Sequence, residues 1–99
     1  DIVHILGETY KNFSIAPEYL AALPLAGVDG TLKSRMKNSS ATGWVRGKTG
    51  HLTGAAGLAG FAGQRDGGVK IYAFIFNGPE DQSDLARRLF DVLVSELVQ

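Results

Sequence analysis

Residues 44–54 read Trp-Val-Arg-Gly-Lys-Thr-Gly-His-Leu-Thr-Gly, and they begin a stretch whose composition differs from the rest of the chain. Nine of the thirteen glycines lie between Gly43 and Gly68. Glycine at this density weakens strands, so it is tolerated mainly where turns, bulges or a ligand require close approach to the backbone. The stretch therefore predicts strands whose backbone is approached closely by another group.

The next segment predicts an antiparallel hairpin. Residues 65–68, Arg-Asp-Gly-Gly, are a strong tight-turn signal. The residues on either side, 58–62 and 69–76, are apolar or aromatic, which favours two strands that pair across the turn.

A helix is predicted over about residues 83–98, after the Asn-Gly-Pro of residues 77–79. Leucines recur every fourth residue in this segment and are joined by Phe90 and Val94. Together with Phe90 and Val94, the leucines form a stripe that is wide enough to cover one face of a sheet. These leucines are Leu85, Leu89, Leu93 and Leu97.

Helices are also predicted in the first part of the chain. Apolar residues from Val3 to Tyr10 lie loosely at helical spacing, and Pro17 fits the start of a helix that Pro24 ends. A short helix is expected over 31–37, after a turn ordered by Asp29. Helices over about 1–37, strands over about 44–76 and a final helix give an α+β arrangement with antiparallel pairing.

Length and composition exclude several classes of protein. A chain of 99 residues makes about one small domain, and ten basic against ten acidic residues leave no positive field for nucleic acid. The absence of cysteine excludes disulfides, thiolate metal sites and cysteine nucleophiles. The longest weakly polar stretch, residues 52–63, is too short to span a membrane. Because the chain opens at Asp1, we expect it to be a piece of something larger.

Two sequence patterns resemble functional sites but lack residues that such sites require. Gly47-Lys48-Thr49 resembles the end of a phosphate-binding loop, but Thr42 stands where that loop needs glycine. His4 and His51 are far apart, and neither has a second ligand type at a metal-binding spacing. We therefore expect neither a phosphate-binding loop nor a metal site.

What remains is Lys48-Thr49-Gly50 at the head of a strand. Upstream, residues 23–32 read Leu-Pro-Leu-Ala-Gly-Val-Asp-Gly-Thr-Leu; downstream, residues 58–61 read Leu-Ala-Gly-Phe, and a strand ends in Phe-Asn-Gly at 76–78. Together these segments resemble the C-terminal portion of class C low-molecular-mass penicillin-binding proteins, the D-alanyl-D-alanine carboxypeptidases and endopeptidases of the peptidase S13 type. The resemblance covers residues 16–98. Its most specific part is the upstream decapeptide.

The resemblance implies a fold and a domain organisation. The fold is the C-terminal part of a serine β-lactamase/DD-peptidase-like transpeptidase fold, in which antiparallel strands are flanked by helices, including a C-terminal helix. Residues 1–99 are then a C-terminal fragment of a single penicillin-binding catalytic domain.

The resemblance also implies roles for the Lys-Thr-Gly motif. Lys48 would be catalytic, placing positive charge beside the nucleophile and the terminal carboxylate of the substrate. Thr49 would hydrogen-bond that carboxylate, Gly50 would keep the strand edge open, and the backbone N–H of His51 would be one oxyanion-hole donor.

Two residues depart from the family pattern. The family usually has alanine where Gly47 stands and a hydroxyl residue where His51 stands. A hydroxyl that shares in carboxylate binding is therefore replaced by an imidazole. The imidazole either alters substrate preference or is simply a half-exposed histidine on a strand.

The other two motifs of this serine-enzyme signature are not convincingly present. Residues 34–37 match Ser-x-x-Lys and residues 10–12 imitate the second motif, but both lie too close in sequence to Lys48. We therefore expect the acylating serine on an N-terminal fragment of the same protein, present as a separate chain.

The implied enzyme is a serine-type DD-peptidase of the extracytoplasmic cell envelope. It would cleave the D-Ala-D-Ala bond of peptidoglycan stem peptides and bind β-lactam antibiotics, with neither a metal nor another cofactor and with no nucleic-acid partner. The alternative is a non-catalytic peptidoglycan-binding or scaffold protein with the same fold.

Overall fold

The computed structural model describes residues 1–12, 14–52 and 54–98, with the backbone alone for His51 and Leu52. The element order is α1 (Ile2–Lys11), α2 (Ala16–Ala22), the 3₁₀ turn η1 (Gly30–Leu32), β1 (Val45–Leu52), β2 (Ala55–Gly63), β3 (Val69–Asn77), the 3₁₀ turn η2 (Glu80–Gln82) and α3 (Ser83–Leu97). The helices and strands therefore follow the predicted α+β order. Among the described residues, every helix is too short or too polar to cross a bilayer.

The three strands form one antiparallel sheet in the order β1-β2-β3. The predicted hairpin is β2–β3, in which Phe61 lies opposite Ile71. In the other pair, Gly47 lies opposite Gly60, and a Cβ on Gly60 would meet the Arg46 carbonyl oxygen at 2.0 Å. Close approach of two backbones thus accounts for one of the clustered glycines.

Side chains alternate between the two faces of the sheet, and each face has its own core. One core lies between the sheet and α3, where Phe74 of β3 stacks on Phe90 of α3 with ring centroids 5.5 Å apart. The other lies under α1 and α2, where Leu6 and Leu23 pack with Phe61. β2 and β3 therefore run between two packed layers.

The apolar stripe predicted on α3 covers the sheet only in part, through Phe90, Val94 and Leu97. Leu85, Leu89 and Leu93 are 65%, 55% and 40% exposed, whereas Phe90 and Val94 are 6% and 0% exposed. Both sets recur every fourth residue, so spacing alone cannot choose between them. The aromatic contact of Phe90 with the sheet sets the rotation of α3, and of the four leucines only Leu97 packs partly against the core among the described residues.

The helix predicted over 31–37 is also wrong, because only the single turn η1 forms. Met36 and Asn38 have φ angles of 58° and 56°, a left-handed conformation that a right-handed helix cannot contain. The turn at Asp29 is as predicted, since its carboxylate accepts the Leu25 N–H at 2.7 Å. Arg35 anchors the following segment to α3 through two hydrogen bonds to the Asp91 carboxylate.

Candidate active site

The outer edge of β1 is covered only at its beginning. The Gly47 N–H donates to the Pro24 carbonyl at 3.1 Å, and the Ala26 N–H donates to the Val45 carbonyl at 2.8 Å. Within the described ranges, no strand pairs with this edge beyond Gly47. The second half of β1 is therefore an open strand edge.

The pairing register decides which backbone groups this edge presents. In an antiparallel strand, the N–H and C=O groups of successive residues point alternately to the two sides of the strand. The outer bonds of Val45 and Gly47 show that every second residue of β1, counted from Val45, directs these groups away from β2. Thr49 and His51 have the same parity, and their N–H groups therefore point away from β2. The predicted oxyanion donor, the His51 N–H, thus lies on the open edge. The imidazole of His51 is outside what the structure describes, so both interpretations of it stand.

Lys48 and Thr49 approach the open edge from opposite faces of the sheet. The Lys48 side chain is exposed and lies on the α1/α2 face, and its Nζ donates to the outward carbonyl of Thr49 at 3.0 Å. Among the described residues, no carboxylate forms an ion pair with Lys48. An ammonium group and a hydroxyl group therefore flank the same short length of backbone.

Thr31 is a site residue that the sequence reasoning missed. Its hydroxyl accepts a hydrogen bond from the Thr49 hydroxyl at 3.4 Å. Thr31 belongs to η1, which the turn at Asp29 holds beside β1. Its place in the decapeptide of residues 23–32, the most specific part of the family resemblance, is a signal in the sequence, but the local pattern predicts only a turn and a short helix there.

A groove of about 330 Å³ adjoins Lys48 on the α1/α2 side. On the side of β1 the groove is lined by Lys48, Thr49 and Gly50. A Cβ on Gly50 would meet no other atom within 4 Å among the described residues. The other lining residues are mostly apolar and belong to both helices and the sheet, among them Ile2, Leu6, Tyr19, Leu23, Leu58 and Ile75.

Packing explains why a glycine, Gly47, precedes Lys48. A Cβ on Gly47 would lie 2.6 Å from the Tyr72 hydroxyl oxygen. Tyr72 is 4% exposed and its hydroxyl donates to the Arg46 carbonyl at 3.4 Å. Burial raises the pKa of this phenol above its ordinary value, and the positive charge of Arg35 opposes the shift only in part. The departure from alanine at position 47 therefore fits a tyrosine at position 72.

The two weak matches to the missing motifs lie elsewhere. Ser34 borders a charged surface depression with residues of α3, including Asp84 and Arg88. Tyr10 packs on Phe61 with ring centroids 5.6 Å apart. Neither residue lines the groove beside Lys48.

The sequence as a whole matches a family of peptidases. Residues 1–96 match the model of the D-Ala-D-Ala carboxypeptidase 3 (S13) family. The chain belongs to this family. It is similar to a D-alanyl-D-alanine carboxypeptidase of Actinomadura sp., at 32% identity over 90 residues, which cover 86% of this chain and 16% of that protein. It is also similar to carboxypeptidase DacB of Mycolicibacterium smegmatis, at 46% identity over 59 residues, covering 56% of this chain and 13% of that protein.

The fold of this S13 family member matches a solved structure as well. Penicillin-binding protein 4 (dacB) of Haemophilus influenzae superposes with a TM-score of 0.82 and 26% identity, over 98% of this chain and 23% of that one. The predicted family and fold class are thereby confirmed. The chain spans less than a quarter of the length of each of these three proteins.

Proposed function

We propose that this chain forms the Lys-Thr-Gly wall of a serine-type DD-peptidase active site. The observation that carries the proposal is the open half of β1, where the Lys48 ammonium, the Thr49 hydroxyl and the outward His51 N–H border one short edge in a member of the S13 family. The acylating serine is contributed by an N-terminal portion of the same protein, present as a separate chain.

The proposed reaction has two steps. The serine oxygen attacks the carbonyl carbon of the D-Ala-D-Ala peptide bond, an ester forms, the C–N bond breaks, and D-alanine leaves after its nitrogen takes a proton. Water then hydrolyses the ester and regenerates the serine. In the first step the His51 N–H stabilises the oxyanion together with the N–H of the nucleophile.

Recognition of the leaving D-alanine is assigned to the other groups at the edge. Its carboxylate is an acceptor, so it is matched by the Lys48 ammonium and the Thr49 hydroxyl. The Thr31 hydroxyl lies 3.4 Å from that of Thr49 and is positioned to share in this recognition.

Exposed apolar surfaces support the proposal that a companion polypeptide packs against this chain. Ile75 on β3 and Leu85 on α3 are 66% and 65% exposed, and β3 has no neighbouring strand on its outer side among the described residues. Apolar surface and unpaired strand edges of this kind are ordinarily covered. The N-terminal portion of the protein is the proposed cover, since the match spans only 13% and 16% of the length of two relatives.

The proposed substrates are peptidoglycan stem peptides, and β-lactams are proposed to acylate the same serine. Because this polymer lies outside the cytoplasmic membrane, the proposed location is the extracytoplasmic envelope. The sequence favours neither the carboxypeptidase nor the endopeptidase reaction, and both use the same acyl-serine chemistry.

The test is a Lys48→Ala variant of the complete enzyme, assayed for D-alanine release and for labelling by a fluorescent penicillin. We expect both rates to fall by about 100-fold or more, as happens when a group that stabilises the transition state is removed. Lys70→Ala, which removes an exposed lysine on β3, is the control and is expected to retain activity.

Two outcomes contradict the proposal. Equal labelling of the Lys48→Ala and Lys70→Ala variants would mean that Lys48 is a solvated surface lysine with no part in acylation. An intact complex that never becomes labelled favours the non-catalytic peptidoglycan-binding or scaffold function.

A further inference from the structure

The turn that follows the Lys-Thr-Gly motif is anchored at Gly54, whose backbone N–H and carbonyl groups both form hydrogen bonds. The Gly54 N–H donates to Oε2 of Glu80 at 2.6 Å. The Gly54 carbonyl accepts the Gly78 N–H at 2.9 Å. Gly54 itself has a φ of 76°, which favours glycine. Both hydrogen-bonding groups of this residue are therefore fixed by the segment after β3.

This attachment matters because β1 has a partner strand on one side only beyond Gly47. His51 lies opposite Ala56 and Leu52 lies opposite Ala55, so Gly54 sits at the very end of the β1–β2 pair. The ends of an edge strand are where a sheet opens most readily. An anchor at Gly54 limits that opening next to the outward N–H of His51.

We propose that Glu80 is a positioning residue for the active site, acting through Gly54 to hold the open edge of β1 in place. The inference rests on the proposed function of that edge. Donors that stabilise an oxyanion are effective only when they are fixed before the reaction, so the carboxylate of Glu80 acts without touching the substrate.

The local sequence explains why Glu80 reaches the turn. Gly78 extends the pairing of β3 to Gly54, and Pro79 begins the 3₁₀ turn η2, which brings residue 80 back over the end of the sheet. A carboxylate makes a charge-assisted hydrogen bond with a backbone N–H, which is stronger than a neutral one. Asp81 is exposed and forms no hydrogen bond or ion pair among the residues described, so it provides a matched control in the same turn.

The first test is hydrogen–deuterium exchange followed by mass spectrometry on the complete enzyme. Glu80→Ala is expected to accelerate exchange about tenfold in peptides covering residues 49–56, because the anchoring hydrogen bond is lost. Glu80→Gln keeps an acceptor oxygen without the charge, so its exchange is expected to be much closer to wild type than that of Glu80→Ala, and Asp81→Ala is expected to exchange at the wild-type rate. Unchanged exchange in Glu80→Ala overturns the inference.

The second test is the rate of acylation by a penicillin, measured separately from its binding. A mispositioned donor slows the chemical step, so Glu80→Ala is expected to lower the acylation rate constant about tenfold with little change in binding. Glu80→Gln is expected to restore most of the rate. Equal rates in Glu80→Ala and Asp81→Ala overturn the inference, as does a loss in Glu80→Ala that Glu80→Gln fails to restore.

The two tests distinguish failure of this inference from failure of the proposed function. If Lys48→Ala abolishes acylation and Glu80→Ala does not affect it, only the positioning role is wrong. If Lys48→Ala leaves acylation unchanged, the proposed function is wrong, and the exchange experiment still reports whether Glu80 anchors the turn.

Discussion

Gly47 lies directly over the phenol of Tyr72, and replacing it with alanine tests how tightly β1 is packed beside the site. The added Cβ would lie 2.6 Å from the Tyr72 oxygen and 3.3 Å from Cδ1 of Leu58. The tyrosine ring cannot move away easily, because it is 4% exposed and its centroid lies 5.7 Å from that of Phe74. Gly47→Ala therefore overpacks a filled core.

The expected cost is about 2 kcal/mol of unfolding free energy, within the range of about 1–3 kcal/mol for overpacked cores. Tyr72→Phe removes the clashing oxygen and gives up one long hydrogen bond, which costs about 0.5–1 kcal/mol. In the double variant the methyl group has room, so the two changes are expected to couple by about 1–2 kcal/mol.

The assay is equilibrium unfolding in urea, followed by the fluorescence of Trp44, the single tryptophan. Gly57→Ala is the matched control, because its Cβ would meet the Phe74 carbonyl oxygen at 3.5 Å, an ordinary contact. If Gly47→Ala is as stable as Gly57→Ala, or if the double variant shows no coupling, the packing explanation of Gly47 is wrong.

Three further predictions follow from the same geometry. Thr31→Val in the complete enzyme is expected to raise KM several-fold for stem peptides with a free terminal carboxylate and to leave amidated peptides unchanged; an equal effect on both contradicts a role in carboxylate recognition. Burial raises the pKa of the Tyr72 phenol, so only the unfolded chain ionises as the pH passes about 10, and unfolding free energy should decrease above that pH. That decrease should be smaller in Tyr72→Phe, and an identical pH profile in urea unfolding contradicts it. Phe90→Ala should cost about 3–5 kcal/mol and Leu89→Ala less than about 1 kcal/mol, and equal costs refute the orientation of α3.

The fold was largely predictable because its strongest signals are local. The turn at residues 65–68 determined the β2–β3 hairpin, and the period of α3 located the helix. The buried side of α3 was predictable only in part, because the leucines and the pair Phe90 and Val94 have the same spacing, and the tertiary contact with Phe74 distinguishes them.

The site was predictable only where its residues are adjacent in sequence. Lys48, Thr49 and His51 follow one another along one strand, so a motif identifies them. Thr31 and Glu80 lie 18 and 31 residues away from Thr49 and reach the site through turns. Turn geometry of that kind depends on long-range contacts that no spacing rule contains.

The most direct measurement is intact-mass spectrometry of the complete enzyme after reaction with benzylpenicillin. We predict that the companion polypeptide gains the mass of one penicillin, that the 99-residue chain gains none, and that Lys48→Ala slows formation of the adduct by about 100-fold or more. An adduct on the 99-residue chain itself, or an adduct that forms equally fast in Lys48→Ala, would contradict the assignment of this chain as the Lys-Thr-Gly wall of the site.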